Sequence, residues 1–265
     1  MKSKRSKIVF IGAGNVASAL AKALHKTHDI VQIYSKSNAH AKQLASVFKS
    51  ASTNNLNEIV ADADIYIVAV KDDAIEQVAS VLRLKNKLVL HTSGAVDMSL
   101  LKKITSRYGV LYPLQTFSKD SLLKKSIPFC IEASDENVKK ILEGLVKELG
   151  GKVNELTSKQ RAKLHMAAVF VNNFTNHLFA IADDILKEDK IPFNLLLPLI
   201  EETIAKIKSR SPLQSQTGPA LRNDKKTIKK HEKMLSGKPE YLKIYKKLTK
   251  SIQHTRPCKK TLRNY

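Results

Sequence analysis

The sequence contains no tryptophan, only two cysteines, and 24 acidic residues against 46 lysines and arginines in 265 residues. Cys130 and Cys258 match no metal-ligand or redox-motif spacing, so we expect no metal site and a reducing compartment, the cytoplasm. No apolar run approaches the roughly 20 residues that a transmembrane helix requires. The basic N-terminus precedes an apolar stretch of only residues 8–11, which predicts an exposed lead-in to a strand rather than a secretory signal. These absences exclude a membrane protein and a disulfide-rich scaffold.

The shortage of acidic residues gives the chain a formal net charge of +22. Residues 201–265 hold eighteen basic residues against five acidic ones. Such a segment is compatible with a nucleic-acid partner. However, the cations are mostly lysines and aromatic residues make up only 6%, so the stacking surfaces of single-strand binders are missing. We therefore favour exposed lysine-rich helix faces over nucleic-acid binding, and in either case the positive field favours an anionic cofactor or substrate.

The first 157 residues alternate between short apolar runs and helical patterns. Strand-like runs occupy residues 7–12, 30–35, 49–52, 64–70, 87–93, 108–114, 128–133 and 151–156. Helical patterns occupy residues 16–26, 38–48, 72–82 and 135–149, with a helical turn at 57–61. Nearly continuous apolar strands separated by helices predict an α/β fold, with a parallel sheet that helices cover on both faces.

The rest of the chain shows no strand-like alternation. Helical patterns occupy residues 159–187, 193–209, 224–235 and 241–253, and prolines stand near their boundaries. We therefore predict two domains, an N-terminal parallel-sheet domain of residues 1–157 and a C-terminal all-helical domain of residues 158–265.

The stretch IVFIGAGNVASALAKAL joins the first predicted strand to the first predicted helix. Gly12, Gly14 and Ala17 fit the pattern G-x-G-x-x-G/A: the first glycine allows a tight turn, the second lets a phosphate approach the backbone, and the small third residue lets the helix pack on the strand. The free N–H groups at the start of the helix favour a pyrophosphate. We predict a dinucleotide-binding turn, rather than a glycine turn without a ligand, formed by Gly12, Ala13, Gly14, Asn15 and Val16.

The end of the second predicted strand indicates which dinucleotide binds. An NAD-binding unit places a carboxylate there, on the ribose hydroxyls. This chain has Ser35, Lys36 and Ser37 instead, and two hydroxyls with a cation suit a 2′-phosphate. We therefore predict NADP rather than NAD; the alternative is that these three residues form only a polar loop.

Polar residues also follow two later strands, at the carboxyl edge where ligands of open parallel sheets bind. Val70, Lys71 and Asp72 are expected to line the cofactor site, although Asp72 could equally be the N-cap of the next helix. Ser93 and Gly94 offer a hydroxyl and backbone donors near the nicotinamide. The turn at residues 112–117 is a weaker candidate, and we interpret it as an exit turn of the sheet.

The first helix of the C-terminal half carries the catalytic candidates. His165, Val169, Asn172 and Asn176 recur at i, i+4, i+7 and i+11, on one face of a helix. A polar stripe on an apolar helix needs hydrogen-bond partners, either a substrate or a neighbouring backbone. His165 is the favoured proton donor, because imidazole titrates near neutral pH. Lys163 is the competing acid, on a different face.

The segment QTGPALRND connects two predicted helices and is dense in polar groups. It is either a plain connector or a loop that reaches a substrate. Thr217 and Arg222 are the candidate substrate-binding residues, and Arg222 would hold an anion or pair with Asp224.

Taken together, GAGNVA, AVKDDAI, HTSGA, YPLQTF, HMAAVFVNNFTNHL and QTGPALRND resemble a bacterial family that joins a Rossmann-like domain to the domain of unknown function 2520. The resemblance covers nearly the whole chain and implies an oxidoreductase that uses NADP or the deazaflavin F420. Nothing in the residues themselves points to F420.

More distantly, the chain is similar to pyrroline-5-carboxylate reductases and to 6-phosphogluconate and β-hydroxyacid dehydrogenases. That similarity implies a helical domain of the 6-phosphogluconate dehydrogenase C-terminal type, a dimer formed through this domain, and catalysis in the cleft between domains. The hydroxyacid branch has Ser-Gly-Gly and a catalytic lysine followed four residues later by asparagine. Here Ala95 follows Gly94, and Ala167 stands four residues after Lys163.

The resulting hypothesis is an NADP(H)-dependent oxidoreductase that acts on a small, anionic carbonyl, imine or alcohol. His165 would exchange the proton, Ser93 would orient the substrate, and Asn172 would position a substrate oxygen. Two other classes stay open: an NADP(H)-binding sensor or scaffold without turnover, and a basic nucleic-acid-binding protein.

Overall fold

A computed structural model describes residues 5–118 and 121–255. Cys258 and the first four residues of the basic lead-in lie outside this part of the chain. The chain divides into two compact units, residues 1–171 and 172–265. The domain boundary predicted after residue 157 therefore falls inside the first unit, and it stays a prediction.

The first unit is built on one eight-stranded sheet with the order β3-β2-β1-β4-β5-β6-β7-β8. The strands are β1 (Lys7–Ile11), β2 (Asp29–Tyr34), β3 (Ala51–Thr53), β4 (Ile65–Val68), β5 (Leu88–His91), β6 (Arg107–Pro113), β7 (Pro128–Ala133) and β8 (Lys152–Glu155). Each lies at a run that the sequence predicts. This is the doubly wound, Rossmann-like arrangement expected from alternating strands and helices.

The prediction of a parallel sheet is wrong at one pair of strands. β6 and β7 are antiparallel, with Leu111 opposite Ile131, whereas every other pair is parallel. A parallel neighbour requires a crossover, usually through a helix. The described residues between β6 and β7 form no helix, so the chain returns alongside β6 in the opposite direction.

Helices cover both faces of the sheet. The first unit contains α1 (Asn15–Leu24), α2 (Asn38–Phe48), α3 (Asp72–Val81), α4 (Glu136–Glu148) and α5 (Ser158–Ala168), with short 3₁₀ helices at Leu56–Glu58 and Met98–Lys103. In β1, Phe10 packs in one apolar cluster with α1, α2 and α4, while Val9 packs in a second cluster with α3. Because successive side chains of a strand point to opposite faces, both faces are buried, which explains the continuous apolar runs.

The helix predicted at residues 159–187 is interrupted. α5 is followed by a π-helical segment, Val169–Phe174, and then by α6 (Thr175–Lys187). A π turn acts as one inserted residue and displaces later residues by roughly 100° around the axis. The prediction that His165, Asn172 and Asn176 share one face of a regular helix is therefore wrong.

The second unit is helical. It contains α6, α7 (Leu197–Ser209), α8 (Lys225–Met234) and α9 (Pro239–His254), with a 3₁₀ helix at Phe193–Leu196. Among its described residues only Ile181, Ala220 and Ile228 are buried. Within the described chain, no helix combines the length and apolar character needed to cross a bilayer.

Candidate dinucleotide and substrate site

The glycine turn after β1 adopts a conformation that requires glycine at its first position, Gly12. Gly12 has a φ of 126°, and a Cβ at this position would lie 2.1 Å from the carbonyl oxygen of Ala69. Its amide donates a hydrogen bond to the carbonyl of Tyr34 at 2.8 Å. The turn is therefore fixed to the ends of β2 and β4, and a larger residue at Gly12 does not fit.

Gly14 differs from Gly12, because its backbone is ordinary and its surroundings are open. It is the N-cap of α1 with φ −79°, and a Cβ there would meet no atom within 4 Å. No side chain caps the helix, and its first turn holds no acidic residue. The amides at the head of α1 are thus free to bind an anion, so the turn fits the pyrophosphate of a dinucleotide.

The flanking residues leave the turn accessible. Ala13 and Val16 are half-buried, and Asn15 is exposed with its side-chain amide donating to the carbonyl of Phe117 at 3.1 Å. A cavity of about 390 Å³ begins at the turn and runs between α1 and α2. None of the residues that line the cavity carries a carboxylate. The lining consists of Ala13, Gly14, Asn15, Ser18, Lys22, His40, Gln43, Leu44, Val47, Ser118 and Ser121.

The residues after β2 are compatible with a 2′-phosphate. Lys36 is exposed and forms no ion pair with any acidic group of the described residues. Ser35 donates its amide to the carbonyl of Thr53 at 3.1 Å, and its hydroxyl forms no hydrogen bond with the described residues. Ser37 has a local role as well, because its hydroxyl accepts the amide of His40 and caps α2.

The residues after β4 lie at the same edge of the sheet. Val70 is half-buried, and Lys71 and Asp72 are exposed. The alternative that Asp72 is the N-cap of the next helix is wrong, since Lys71 occupies the cap position and α3 begins at Asp72. The carboxylates of Asp72 and Asp73 instead stand in the first turn, where the helix dipole stabilises them.

The loop after β5 forms a tight turn. The Ser93 amide donates to Nδ1 of the buried His91 at 3.2 Å. The Ser93 hydroxyl accepts the amides of Ala95 and Val96 at 3.1 and 3.0 Å, and Ser93 is only 7% exposed. Ser93 therefore shapes the loop, and its predicted contact with a substrate stays a prediction.

His165 lies directly against this loop. A Cβ on Gly94 would come within 2.7 Å of Nδ1 and 2.9 Å of Cβ of His165. Nδ1 of His165 is also 3.1 Å from the hydroxyl of Tyr112, and the two rings meet edge to face. Three elements, the β5 loop, β6 and α5, thus converge on one imidazole.

Tyr112 is a candidate site residue in a turn that the sequence offers only as a weaker candidate, because the 112–117 segment fits an exit turn of the sheet. The available signal was its place near the carboxyl end of β6, beside the ends of β4 and β5. Burial, with smaller contributions from Cys130 and Asp72, raises the pKa of Tyr112. Its phenol is therefore protonated at neutral pH.

Two buried titratable side chains beside the loop, Arg161 and His91, have no role assigned to them by the sequence. Arg161 of α5 is fully buried and forms an ion pair with Glu132 of β7. Burial, and then the charge of Arg161, lowers the pKa of His91 to about 3, so His91 is neutral. Because Nδ1 of His91 accepts a hydrogen bond, its own hydrogen is on Nε2.

The remaining candidates are exposed residues of α5 and of the second unit. Lys163 of α5 is exposed. Asn172, Asn176, Thr217 and Arg222 belong to the second unit, where all four are exposed, and their roles stay predictions.

The predicted alternative of an ion pair between Arg222 and Asp224 is not found among the described residues. Asp224 caps α8 instead, accepting the amide and hydroxyl of Thr227 at 3.0 and 2.7 Å. No group of three or more histidine, cysteine, aspartate or glutamate side chains in the described part of the chain could hold a metal.

The fold and the glycine turn define a two-domain protein of the dinucleotide-binding class. Residues 7–94 match the family described as NADP oxidoreductase, coenzyme F420-dependent, and residues 127–252 match the domain of unknown function 2520. A proposed NADP oxidoreductase from Bacteroides fragilis is 40% identical with a TM-score of 0.87, over 94% of this chain and 98% of that chain. The chain belongs to this family, in which an NADP oxidoreductase domain precedes a domain of unknown function 2520.

More distant structures share the fold. A protein from Thermotoga maritima is 24% identical with a TM-score of 0.68, over 93% of this chain and 97% of that chain. A reductive aminase from Aspergillus terreus, in complex with NADPH and ethyl-5-oxohexanoate, is 15% identical with a TM-score of 0.71, over 96% of this chain and 95% of that chain. A comparison with curated protein sequences finds no match.

Proposed function

We propose that the protein is an NADP(H)-dependent oxidoreductase that reduces a small carbonyl or imine, or oxidises the corresponding alcohol or amine. The observation that carries this proposal is the His165–Tyr112 pair beside Gly94, at the same sheet edge as the open glycine turn. β5 and β6 lie two and three strands from β1, so the ends of these strands stand roughly 10 and 14 Å from the turn, on the side where the nicotinamide half extends.

The cofactor would be held by the residues that fit it. The amides at Gly14 and Asn15 would bind the pyrophosphate, Ser35 and Lys36 the 2′-phosphate, and Val70 would line the trough. Bound NADPH supplies the hydride, whereas the chain supplies geometry and a proton route. The family description and the NADPH in the Aspergillus terreus structure support NADP.

The proton route runs through His165 and Tyr112. Burial raises the pKa of Tyr112, so its phenol stays protonated and can donate its hydrogen to Nδ1 when His165 is neutral. To protonate a substrate oxygen or nitrogen, His165 acts as the imidazolium after taking a proton from solvent: Nδ1–H donates to the Tyr112 oxygen, the Nε2 proton passes to the substrate, and a neutral imidazole remains. Asn172, Asn176, Thr217 and Arg222 are the proposed contacts of the second unit with an anionic substrate.

Replacement of His165 tests this proposal. We expect His165→Gln to lower turnover about 100-fold, because loss of general acid–base catalysis typically costs 10²- to 10⁴-fold, and to leave the Kd for NADPH unchanged. Tyr112→Phe keeps the ring but removes the hydroxyl, and about a tenfold loss is expected. The measurement is NADPH oxidation with a panel of carbonyls and imines.

His177→Gln, at an exposed position of α6, is the matched control for this experiment. Unchanged turnover in His165→Gln would refute the role of His165. If no compound of the panel accelerates NADPH oxidation by the wild type, while NADPH binds, the sensor or scaffold becomes the better interpretation.

A charge reversal at Lys36 tests the choice of cofactor. A carboxylate repels the 2′-phosphate but can bind ribose hydroxyls, so Lys36→Glu should shift the ratio of the NADPH and NADH dissociation constants at least 100-fold toward NADH. Lys42→Glu, exposed on α2, makes the same change in net charge and is the control. Calorimetry measures both constants, and F420 is titrated in parallel. Equal effects of the two substitutions would contradict the 2′-phosphate site.

We also propose that the protein works as a homodimer, formed through the helical unit, in the cytoplasm. Among the described residues of that unit, twelve large apolar side chains are more than one-third exposed, and three residues are buried. A single copy therefore leaves the unit with little core, and a second copy can cover its apolar surface. The buried free thiol of Cys130 suits a reducing compartment.

A further inference from the structure

Arg161 is the largest fully buried side chain of the described residues, and its guanidinium forms hydrogen bonds to elements outside α5. One guanidinium nitrogen, Nη1, donates to Oε2 of Glu132. The other, Nη2, donates to the carbonyl of Val96 and, at 3.2 Å, to the hydroxyl of Ser158. The arginine thus connects its own helix with β7 and with the loop that follows β5.

Glu132 completes the attachment at the start of α5. Its carboxylate accepts the Ser158 amide at 2.8 Å and the Ser158 hydroxyl at 2.7 Å, in addition to Arg161. The Ser158 hydroxyl in turn accepts the amide of Met98 at 3.0 Å. The first turn of α5 is therefore tied by charged hydrogen bonds to the sheet and by a neutral one to the segment after the loop.

Stability alone does not require an ion pair at this position, where Arg161 is fully buried and the Glu132 side chain is 17% exposed. Burying two charges costs as much as their attraction returns, and apolar residues of similar volume are often equally stabilising or better. A guanidinium does offer something that an apolar side chain lacks, namely several donors in a fixed planar geometry. Donors in a fixed plane hold their partners at defined positions. The ion pair therefore determines where α5 lies relative to β7 and to the loop after β5.

His165 stands four residues after Arg161, on the same face of α5. Arg161 binds the loop at Val96, and His165 contacts the same loop at Gly94. The helix is thus attached to the loop at two points one turn apart. Without the Arg161 contact, the imidazole can shift along the loop, and a displacement of about 1 Å is enough to lower a rate 100-fold.

We propose that Arg161, through its ion pair with Glu132, is a positioning residue that holds His165 against Gly94 and beside Tyr112. This inference rests on the proposed function, because it assigns Arg161 a purpose only if the position of His165 matters for turnover. Its geometric part concerns the folded protein alone and can be measured without a substrate.

The experiment compares Arg161→Met, Arg161→Lys and the double variant Arg161→Met/Glu132→Gln. The first leaves the Glu132 carboxylate without its partner, and we expect the Tm to fall by about 10 °C. The double variant removes both charges and keeps an oxygen that can accept the Ser158 amide, so it should regain more than half of that loss. Arg83→Met is the control, because Arg83 is exposed and donates only to two carbonyls near the end of α3.

The decisive readout is the NMR cross-peak between the ring protons of His165 and the Hα protons of Gly94. We expect it to be lost in the double variant although the Tm has recovered, and turnover to fall about 100-fold at unchanged Kd for NADPH. Arg161→Lys can pair with Glu132 but cannot reach all three partners in the same plane, so it should keep the cross-peak only at reduced intensity.

A double variant that regains its Tm and keeps the cross-peak at full intensity would overturn the proposal. If Arg161→Met does not fold, Arg161→Lys and the double variant give the same comparison. Loss of the cross-peak in the double variant, together with unchanged turnover in His165→Gln, would support the geometric inference but refute the proposed function. Failure of the geometric inference can therefore be distinguished from failure of the proposed function.

Discussion

Gly14→Asp is expected to abolish measurable NADPH binding while leaving the protein folded. The position tolerates a side chain, because its φ of −79° is ordinary and a Cβ there meets no atom within 4 Å. Aspartate is a good N-cap, so the stability of α1 should be unchanged or slightly raised. The same carboxylate stands where the pyrophosphate would bind, and repulsion of about 3 kcal/mol or more weakens the Kd at least 100-fold.

Gly14→Asn separates the effect of the charge from the effect of the side-chain size. Asparagine has nearly the same shape as aspartate and also caps helices, but it is uncharged. We expect it to weaken NADPH about tenfold. A fluorescence titration with NADPH measures each Kd, and a thermal melt without NADPH measures stability. Tight NADPH binding by a folded Gly14→Asp would contradict the assignment of the turn.

The parts of the site that the sequence predicts are those set by local backbone geometry. Gly12 and Gly14 are recognisable because a turn between a strand and a helix restricts φ at one residue and requires open space at another. The strands are recognisable because burial on both faces makes them continuously apolar. The glycine turn and the apolar strands depend on residues that are close together in the chain, so the sequence itself reveals them.

The parts that the sequence does not predict depend on distant partners. Tyr112 and His165 are 53 residues apart, and Arg161 lies 29 residues from Glu132. In the sequence Arg161 is one cation among 46, and nothing local marks it as buried. The antiparallel β7 and the π turn at Val169–Phe174 are likewise absent from the pattern, because apolar periodicity indicates an element but neither its direction nor a one-residue insertion.

The site residues come from a few chain segments that meet at one sheet edge. β5 and β6 are adjacent parallel strands, so the loop at Gly94 and the side chain of Tyr112 are neighbours whatever the lengths of their connections. α5 then adds His165, and Arg161 on the same helix face fixes its height above the loop. The proposed proton route therefore needs only one helix in addition to the dinucleotide fold.

The double substitution Ile204→Glu/Ile207→Glu is expected to convert the proposed dimer into monomers. Both side chains lie one turn apart on α7, and they are 48% and 47% exposed in a single chain. On an exposed surface such changes alter stability by no more than about 0.5 kcal/mol each. Within a dimer interface each buried carboxylate costs several kcal/mol, and four of them would meet across the two-fold axis.

Light scattering after size-exclusion chromatography measures the mass of each variant. The wild type should show twice the mass of the chain and a Tm that rises with protein concentration, because association stabilises the folded state. Val81→Glu places the same charge on a 40% exposed aliphatic position of the sheet unit and should leave the mass unchanged. If the wild type has the mass of one chain at every concentration, the proposed dimer is refuted. If the double variant is still a dimer, the interface does not include this face of α7.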